Sequence, residues 1–190
     1  MPAQHPTTAR IIRTTTLTPQ RWANGGGWTR EIHREPATTP DRLPAWRLSL
    51  ADIDEPGPFS SLPGMDRHFL LAAPRFAPLE LVVDGVLHIV HFPRSIAFAG
   101  DAEVTTTAVP AGTRALNFMV RSGNPGSLQL LRGDTELTVA AETTNAMVLL
   151  DGDAYVDGER LGRFDAILPG STGARLALRN ATMARFPSHN

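Results

Sequence analysis

Apolar and polar residues alternate over short stretches through most of this chain. Trp46, Leu48 and Leu50 interleave with Arg47, Ser49 and Ala51, the period-two pattern of a strand with one buried face. Arg10–Thr16, Trp28–Arg34 and Arg67–Ala72 read as further strands. Leu79–Val83 and Val86–Val90 flank Asp84-Gly85, which supplies the positive φ values that a type I′ turn needs, so they form the clearest hairpin. Short strands follow at Ser95–Ala99, Val104–Val109, Ala115–Arg121, Leu128–Arg132, Leu137–Ala141, Ala146–Leu150, Ala154–Val156, Phe164–Leu168, Ala174–Leu178 and Thr182–Phe186. Gly123-Asn124-Pro125-Gly126, Asp157-Gly158 and Pro169-Gly170 punctuate them as turns. Glu35–Pro44 and the Pro- and Gly-rich Asp54–Met65 read as loops, and no long amphipathic helix is predicted. The pattern is that of an all-β sandwich or barrel.

A loose internal rhyme refines this. Val83-Asp84-Gly85 opens a strand–loop–strand run ending at Ala99-Gly100, with Phe118-Met119-Val120-Arg121 later. Val156-Asp157-Gly158 opens a similar run ending at Pro169-Gly170, with Met183-Ala184-Arg185-Phe186 later. The expectation is two jelly-roll units in one chain, approximately residues 10–122 and 123–186, the second trimmed.

Composition removes several functions. The net charge of -1 leaves no electrostatic footprint for nucleic acid or an anionic membrane. No apolar run approaches a membrane span, and residues 1–16 lack the apolar core of a secretory signal, so the expected location is the cytoplasm. There is no Cys, which excludes disulfides and thiol nucleophiles. All 18 basic residues are Arg, so lysine Schiff-base chemistry is excluded and a bound anion must be held by Arg or His. His88 and His91 fall on opposite faces of a strand, and His5 and His189 lie in the tails, so neither a metal nor another cofactor is expected. No nucleophile motif or phosphate-binding glycine loop is present, and no catalytic residue is assigned.

What remains is a set of polar residues around Asn24-Gly25-Gly26-Gly27-Trp28-Thr29-Arg30-Glu31. Three consecutive glycines are costly to order, so this backbone passes close to something, either another strand or a ligand. Trp28 and Arg30 share one face of the following strand, with Glu31 on the other. Asn117, Met119 and Arg121 share a face of a later strand, and Asp66-Arg67 opens another. Guanidiniums and an amide converging inside a small barrel would suit a carboxylate or amide-bearing small molecule. The alternative is that the Arg side chains are paired internally with Glu31, Asp52 or Asp66.

Four stretches carry a resemblance: Asn24–Ile32, Trp46–Ile53, Gly57–Arg67 (Gly-Pro-Phe-Ser-Ser-Leu-Pro-Gly-Met-Asp-Arg) and Leu116–Arg121. Their order and wording resemble the successive motifs of the HutD/Ves family over roughly residues 10–186. The resemblance implies a double-stranded β-helix (cupin or jelly roll), a bicupin without the usual metal ligands. It implies an accessory or regulatory factor of histidine utilisation, binding a small carboxylated metabolite such as N-formylglutamate or a related intermediate of histidine breakdown. Carried over onto this chain, the motif positions are Asn24, Trp28, Thr29, Arg30, Glu31, Ser49, Asp52, Ser60, Arg67, Asn117 and Arg121. Ala23 departs from the Lys often found before the glycine stretch, which removes a cation from the mouth of the site. Two other readings stand beside this one: an isomerase or hydrolase with Glu31 or Asp52 as general base, and a stress-related protein-interaction scaffold. A homodimer is compatible with the sheet edges such folds expose.

Overall fold

The computed structural model describes residues 8–36, 43–123 and 126–188. The tail carrying His5, residues 37–42 of the expected Glu35–Pro44 loop, Asn124-Pro125 of the expected turn, and His189 lie outside the described residues. Among the described residues there is no α-helix, and the strands run in the order β1 (Arg10–Ile12), β2 (Gln20–Arg21), β3 (Gly27–Arg34), β4 (Trp46–Ile53), β5 (Gly57–Pro58), β6 (Met65–Ala73), β7 (Leu79–Val83), β8 (Val86–Val90), β9 (Ser95–Ala99), β10 (Val104–Ala108), β11 (Thr113–Arg121), β12 (Gln129–Val139), β13 (Thr144–Val156), β14 (Glu159–Arg160), β15 (Ala166–Leu168) and β16 (Ala174–Pro187). They fall into two compact units. One is Leu17–Gly126, and the other joins the segment up to Thr16 to the chain from Ser127 onward. The first strand, grouped in sequence with the first half, therefore belongs with the second.

In the Leu17–Gly126 unit a six-stranded antiparallel sheet has the order β2-β3-β4-β11-β6-β9, and a four-stranded sheet has the order β5-β10-β7-β8. Alternation decides which residues meet. Ala51, Ile53, Phe69, Leu71 and Ala115 from the large sheet pack with Leu79, Leu81 and Val104 from the small one. Full burial of each Val, Leu, Ile or Phe side chain among them contributes about 1.5–3 kcal/mol. The β7–β8 hairpin turns at Asp84 (φ 47°) and Gly85 (φ 80°) as the sequence requires. Asp84 Oδ1 accepts from the Glu103 N–H at 2.9 Å, and the Asp84 N–H donates to the Glu103 carbonyl at 2.9 Å, which pins β10 to the turn.

The other unit is one sheet, β1-β15-β13-β16-β12, with β14 paired to β13. Its β13–β14 hairpin repeats the same device. Asp157 (φ 49°) and Gly158 (φ 86°) make the turn, Asp157 Oδ1 accepts from the Arg175 N–H at 2.8 Å, and the Asp157 N–H donates to the Arg175 carbonyl at 2.8 Å. The two halves of the sequence rhyme therefore carry the same bonding.

Three pairs of strands expected to be separate are single long strands. Leu128–Arg132 with Leu137–Ala141 is β12, Ala146–Leu150 with Ala154–Val156 is β13, and Ala174–Leu178 with Thr182–Phe186 is β16. The gaps between the expected strands are register shifts at one level of the sheet, between Gly133 and Thr135, between Leu149 and Asp153, and opposite Asn180. Gly133 (φ 83°), Gly152 (φ 80°) and Asn180 (φ 45°) supply the positive φ values there, and the Asn180 N–H donates to Asp134 Oδ1 at 2.6 Å. A Cβ on Gly152 would lie 2.3 Å from the Asn180 carbonyl oxygen, so the three strands crease together without breaking.

The expected strand Arg10–Thr16 is shortened to Arg10–Ile12. Thr14–Thr16 forms a 3-10 turn, held by Thr16 N–H to the Arg13 carbonyl (3.0 Å) and Thr14 N–H to Asp165 Oδ1 (3.2 Å).

Candidate functional site

The glycine stretch is a packing device before it is anything else. The Trp22 N–H donates to the Gly27 carbonyl and the Gly25 N–H to the Trp22 carbonyl, each at 3.0 Å, with Gly25 at φ 75°. A Cβ on Gly27 would stand 2.3 Å from the Asp52 carbonyl oxygen and 3.2 Å from the Trp22 ring, so the backbone approaches another strand there. Asn24 braces the turn: its Oδ1 accepts from the Gly26 N–H at 3.1 Å and its Nδ2 donates to the Pro58 carbonyl at 3.2 Å.

From this start, strand pairing fixes three rows across the inward face of the large sheet. Thr29 lies beside Ala51, Ala115 and Leu71. Glu31 lies beside Ser49, Asn117, Phe69 and Ile96. Arg47 lies beside Met119, Arg67 and Phe98. The apolar ends of these rows close the core with the small sheet, and the polar members other than Glu31 surround a cavity of about 450 Å3. Arg47, Ser49, Arg67 and Asn117 line its floor, with Phe59 and Trp22 as aromatic walls and Arg21 near its mouth. Trp22 meets Phe59 edge-on with centroids 6.2 Å apart, and its Nε1 donates to Thr29 Oγ1 at 2.8 Å.

Arg67 is the most constrained of these groups. It is 6 % exposed, and its guanidinium carbon lies 5.4 Å from the Phe59 ring centroid and 5.7 Å from that of Phe98. It donates through Nη2 to the Ser60 carbonyl at 3.2 Å, while its buried Nε has no partner among the described residues. No carboxylate among the described residues forms an ion pair with it. Burial, and after it the charge of Arg47, push it down to about 10, so it stays protonated at neutral pH.

Arg47 is matched by Glu31, whose Oε2 lies 2.7 Å from Nε. That Nε has no hydrogen-bond partner, so the contact is an ion pair whose N–H is not aimed along the line of approach. Burial opposes the charge on Glu31, but Arg34 and Arg47 outweigh it and hold the carboxyl below its usual range. Asn117 is 7 % exposed, and its Oδ1 is buried without a partner.

The structure thus brings Asn24, Thr29, Ser49, Ser60, Arg67 and Asn117 around one cavity. It does not bring the other candidates there. Trp28, Arg30 and Asp52 occupy the opposite face of their strands from Thr29, where Asp52 pairs with Arg30 and, at 2.7 Å, with Arg114 Nε. Trp28 stacks under Arg21 at 5.4 Å. The expectation that Trp28 and Arg30 belong to the site is therefore corrected: the face of Thr29 turns toward the cavity. Arg121 donates to the Leu43 carbonyl at the end of β11. Glu31 stands behind Arg47 and does not line the cavity, so neither carboxylate considered as a general base faces it.

Sequence reasoning missed Arg47, Gln20, Arg21, Trp22, Phe59 and Met119 as lining residues. Arg47 could have been found, because it alternates in step with Ser49. No group of three or more His, Asp or Glu that could hold a metal occurs among the described residues. No helix of the described residues is long and apolar enough to cross a membrane.

Comparison with known proteins adds the following. The HutD family model matches residues 14–184. An uncharacterized 21.2 kDa protein in the hutC 3′ region of Pseudomonas putida is 31% identical over 144 residues, covering 75% of this chain and 73% of that one. Protein Ves of Citrobacter koseri is 38% identical over 101 residues, 53% of this chain and 51% of its own. The structure of HutD from Pseudomonas fluorescens SBW25 (formate condition) superposes with a TM-score of 0.79 at 27% identity, covering 96% of this chain and 100% of that one. A cupin 2 conserved barrel domain protein from Leptotrichia buccalis shares the fold at a TM-score of 0.58 and 12% identity, covering 96% of this chain and 98% of that one.

Proposed function

The chain belongs to the HutD family, with an all-β fold of the cupin type, and on that premise we propose that it serves histidine utilisation as an accessory or regulatory protein that binds a small carboxylated metabolite in the cavity of its Leu17–Gly126 unit. The observation that carries this reading is Arg67: a buried guanidinium in the cavity lining, packed against two phenyl rings, with no ion-pair partner among the described residues. An unmatched buried cation is costly, and a carboxylate ligand supplies the missing counter-charge and accepts its N–H bonds. The relative from the hutC region supports the link to histidine breakdown. The cavity volume suits a metabolite the size of N-formylglutamate or a related intermediate.

Binding without catalysis is the better-supported role. Glu31 is held ionised by two arginines and Asp52 faces away from the cavity, so neither is placed to move a proton on a ligand there. The twin Asp-Gly turns support reading the chain as a bicupin, with the ligand site in the Leu17–Gly126 unit.

Calorimetry with formate, histidine, urocanate, formiminoglutamate and N-formylglutamate tests the reading. At least one carboxylate should bind, and Arg67→Met should weaken it by about 30-fold or more. Absence of binding by all five, or full retention of affinity in Arg67→Met, would overturn it.

A further inference from the structure

Asn117 lies one row from both Arg67 and Arg47 on the inward face of β11, beside Ser49 and Phe69. It is 93 % removed from solvent by its 7 % exposure, and the described residues give its amide no hydrogen bond at either end. Buried polar groups are nearly always paired, so an amide in this state, aimed into a cavity, has a partner to come. An amide has one accepting end and one donating end, whichever way it is turned. A carboxylate on Arg67 can take up the donating end. Its oxygens cannot satisfy the accepting end, because an ionised carboxylate has no proton to give. The neighbouring arginines do not do so in this arrangement: Arg67 donates to the Ser60 carbonyl, Arg47 pairs with Glu31, and neither bonds the Asn117 oxygen.

We infer that Asn117 is a specificity residue that selects carboxylates bearing an O–H or N–H donor on the adjacent carbon, the class of 2-hydroxy, 2-amino and 2-acylamino acids. The inference rests on the carboxylate reading above and adds the second half of the ligand. Arg67 supplies the charge that holds the carboxylate, and Asn117 reads the group beside it. A ligand without that donor leaves the Asn117 acceptor buried and unpaired, which is the asymmetry that lets polar sites reject isosteric apolar analogues.

The test uses an isosteric pair, 2-hydroxyglutarate and 2-methylglutarate, titrated calorimetrically into the full-length protein. The wild type should bind the hydroxy acid about tenfold more tightly or better. Asn117→Leu should bind both with similar affinity and keep its melting temperature, because the lost amide makes no bond in the free protein. Equal affinities in the wild type overturn the inference whatever the variant does, as does a preference that survives in Asn117→Leu. Failure of both acids to bind a wild type that does bind one of the five carboxylates named above also overturns the inference, whereas failure of all seven removes the carboxylate reading itself. Binding of both with Arg67 dependence but no preference removes only the role of Asn117.

Discussion

The two units build their interiors from the same strand geometry and fill them differently. In the unit containing β12 to β16, inward rows such as Leu149–Met183–Leu131 and Val156–Leu176–Leu137 are apolar from end to end, and they close into a core with Met147, Ala154, Ile167 and Leu178. In the Leu17–Gly126 unit the rows begin apolar at Ala51, Phe69 and Leu71 and become polar at Ser49, Asn117, Arg47 and Arg67. The turn chemistry at Asp84-Gly85 and Asp157-Gly158 is the same in both. The difference teaches that the hairpin frame does not decide whether a sheet interior is a core or a site. A few inward positions on β4, β6 and β11 do, and one side chain per position is enough.

The largest effect expected from this contrast is in the filled unit. Leu149→Ala should cost about 2–5 kcal/mol of stability, measured by denaturant unfolding, because a packed row cannot collapse around the lost atoms. A loss below about 1 kcal/mol would mean the row is not packed as described. Arg67→Met probes the other interior, with the opposite sign. It removes a buried charge whose folded value of about 10 lies below that of a free guanidinium, a penalty fully present at neutral pH and relieved only as pH rises through and above the folded value. The free protein should be unchanged or up to about 3 kcal/mol more stable while ligand binding collapses. Clear destabilisation would make Arg67 a structural residue.

Glu31→Gln is a finer probe. The lowered Glu31 value makes its contribution to stability present above the ordinary 4.5 and lost as pH falls through the lower folded value. The stability gap between wild type and variant should therefore close on acidification, and a gap independent of pH would separate Glu31 from Arg47 and Arg34. The smallest effect is at the rim, where Arg21→Gln should weaken a dicarboxylate about two- to threefold at low salt and not at 1 M, since exposed charges are screened.

Strands bounded by strong local signals were legible in the sequence. Leu79–Val83 and Val86–Val90 follow from Asp-Gly, and Trp46–Ile53 from its alternation. The long bent strands were not, because Gly133, Gly152 and Asn180 look like turn residues in isolation. Only their alignment across three strands reveals a crease. The site was partly legible for a related reason. Parity says which residues share a face, as with Trp28 and Arg30, but the inward side is chosen by where β7 and β10 supply an apolar cover. Thr29 looks unremarkable beside Arg30, yet it is the one turned inward. Arg47 is not legible as a site residue although it shares the face of Ser49, because a charged residue alternating with Trp and Leu reads as solvent-facing.

The pairing of β1 with β15 has a consequence for how the chain is made. Arg13 meets Asp165 across 152 residues of sequence, and both Thr14 and Gly162 donate to the same carboxylate. At about 5–20 residues per second of synthesis, β1 leaves the ribosome roughly eight to thirty seconds before its partner strand exists. The Leu17–Gly126 unit, whose strands pair only among themselves, can close in that interval. All the residues lining the cavity around Arg67 and Asn117 are thus synthesised while the first strand still waits for its sheet.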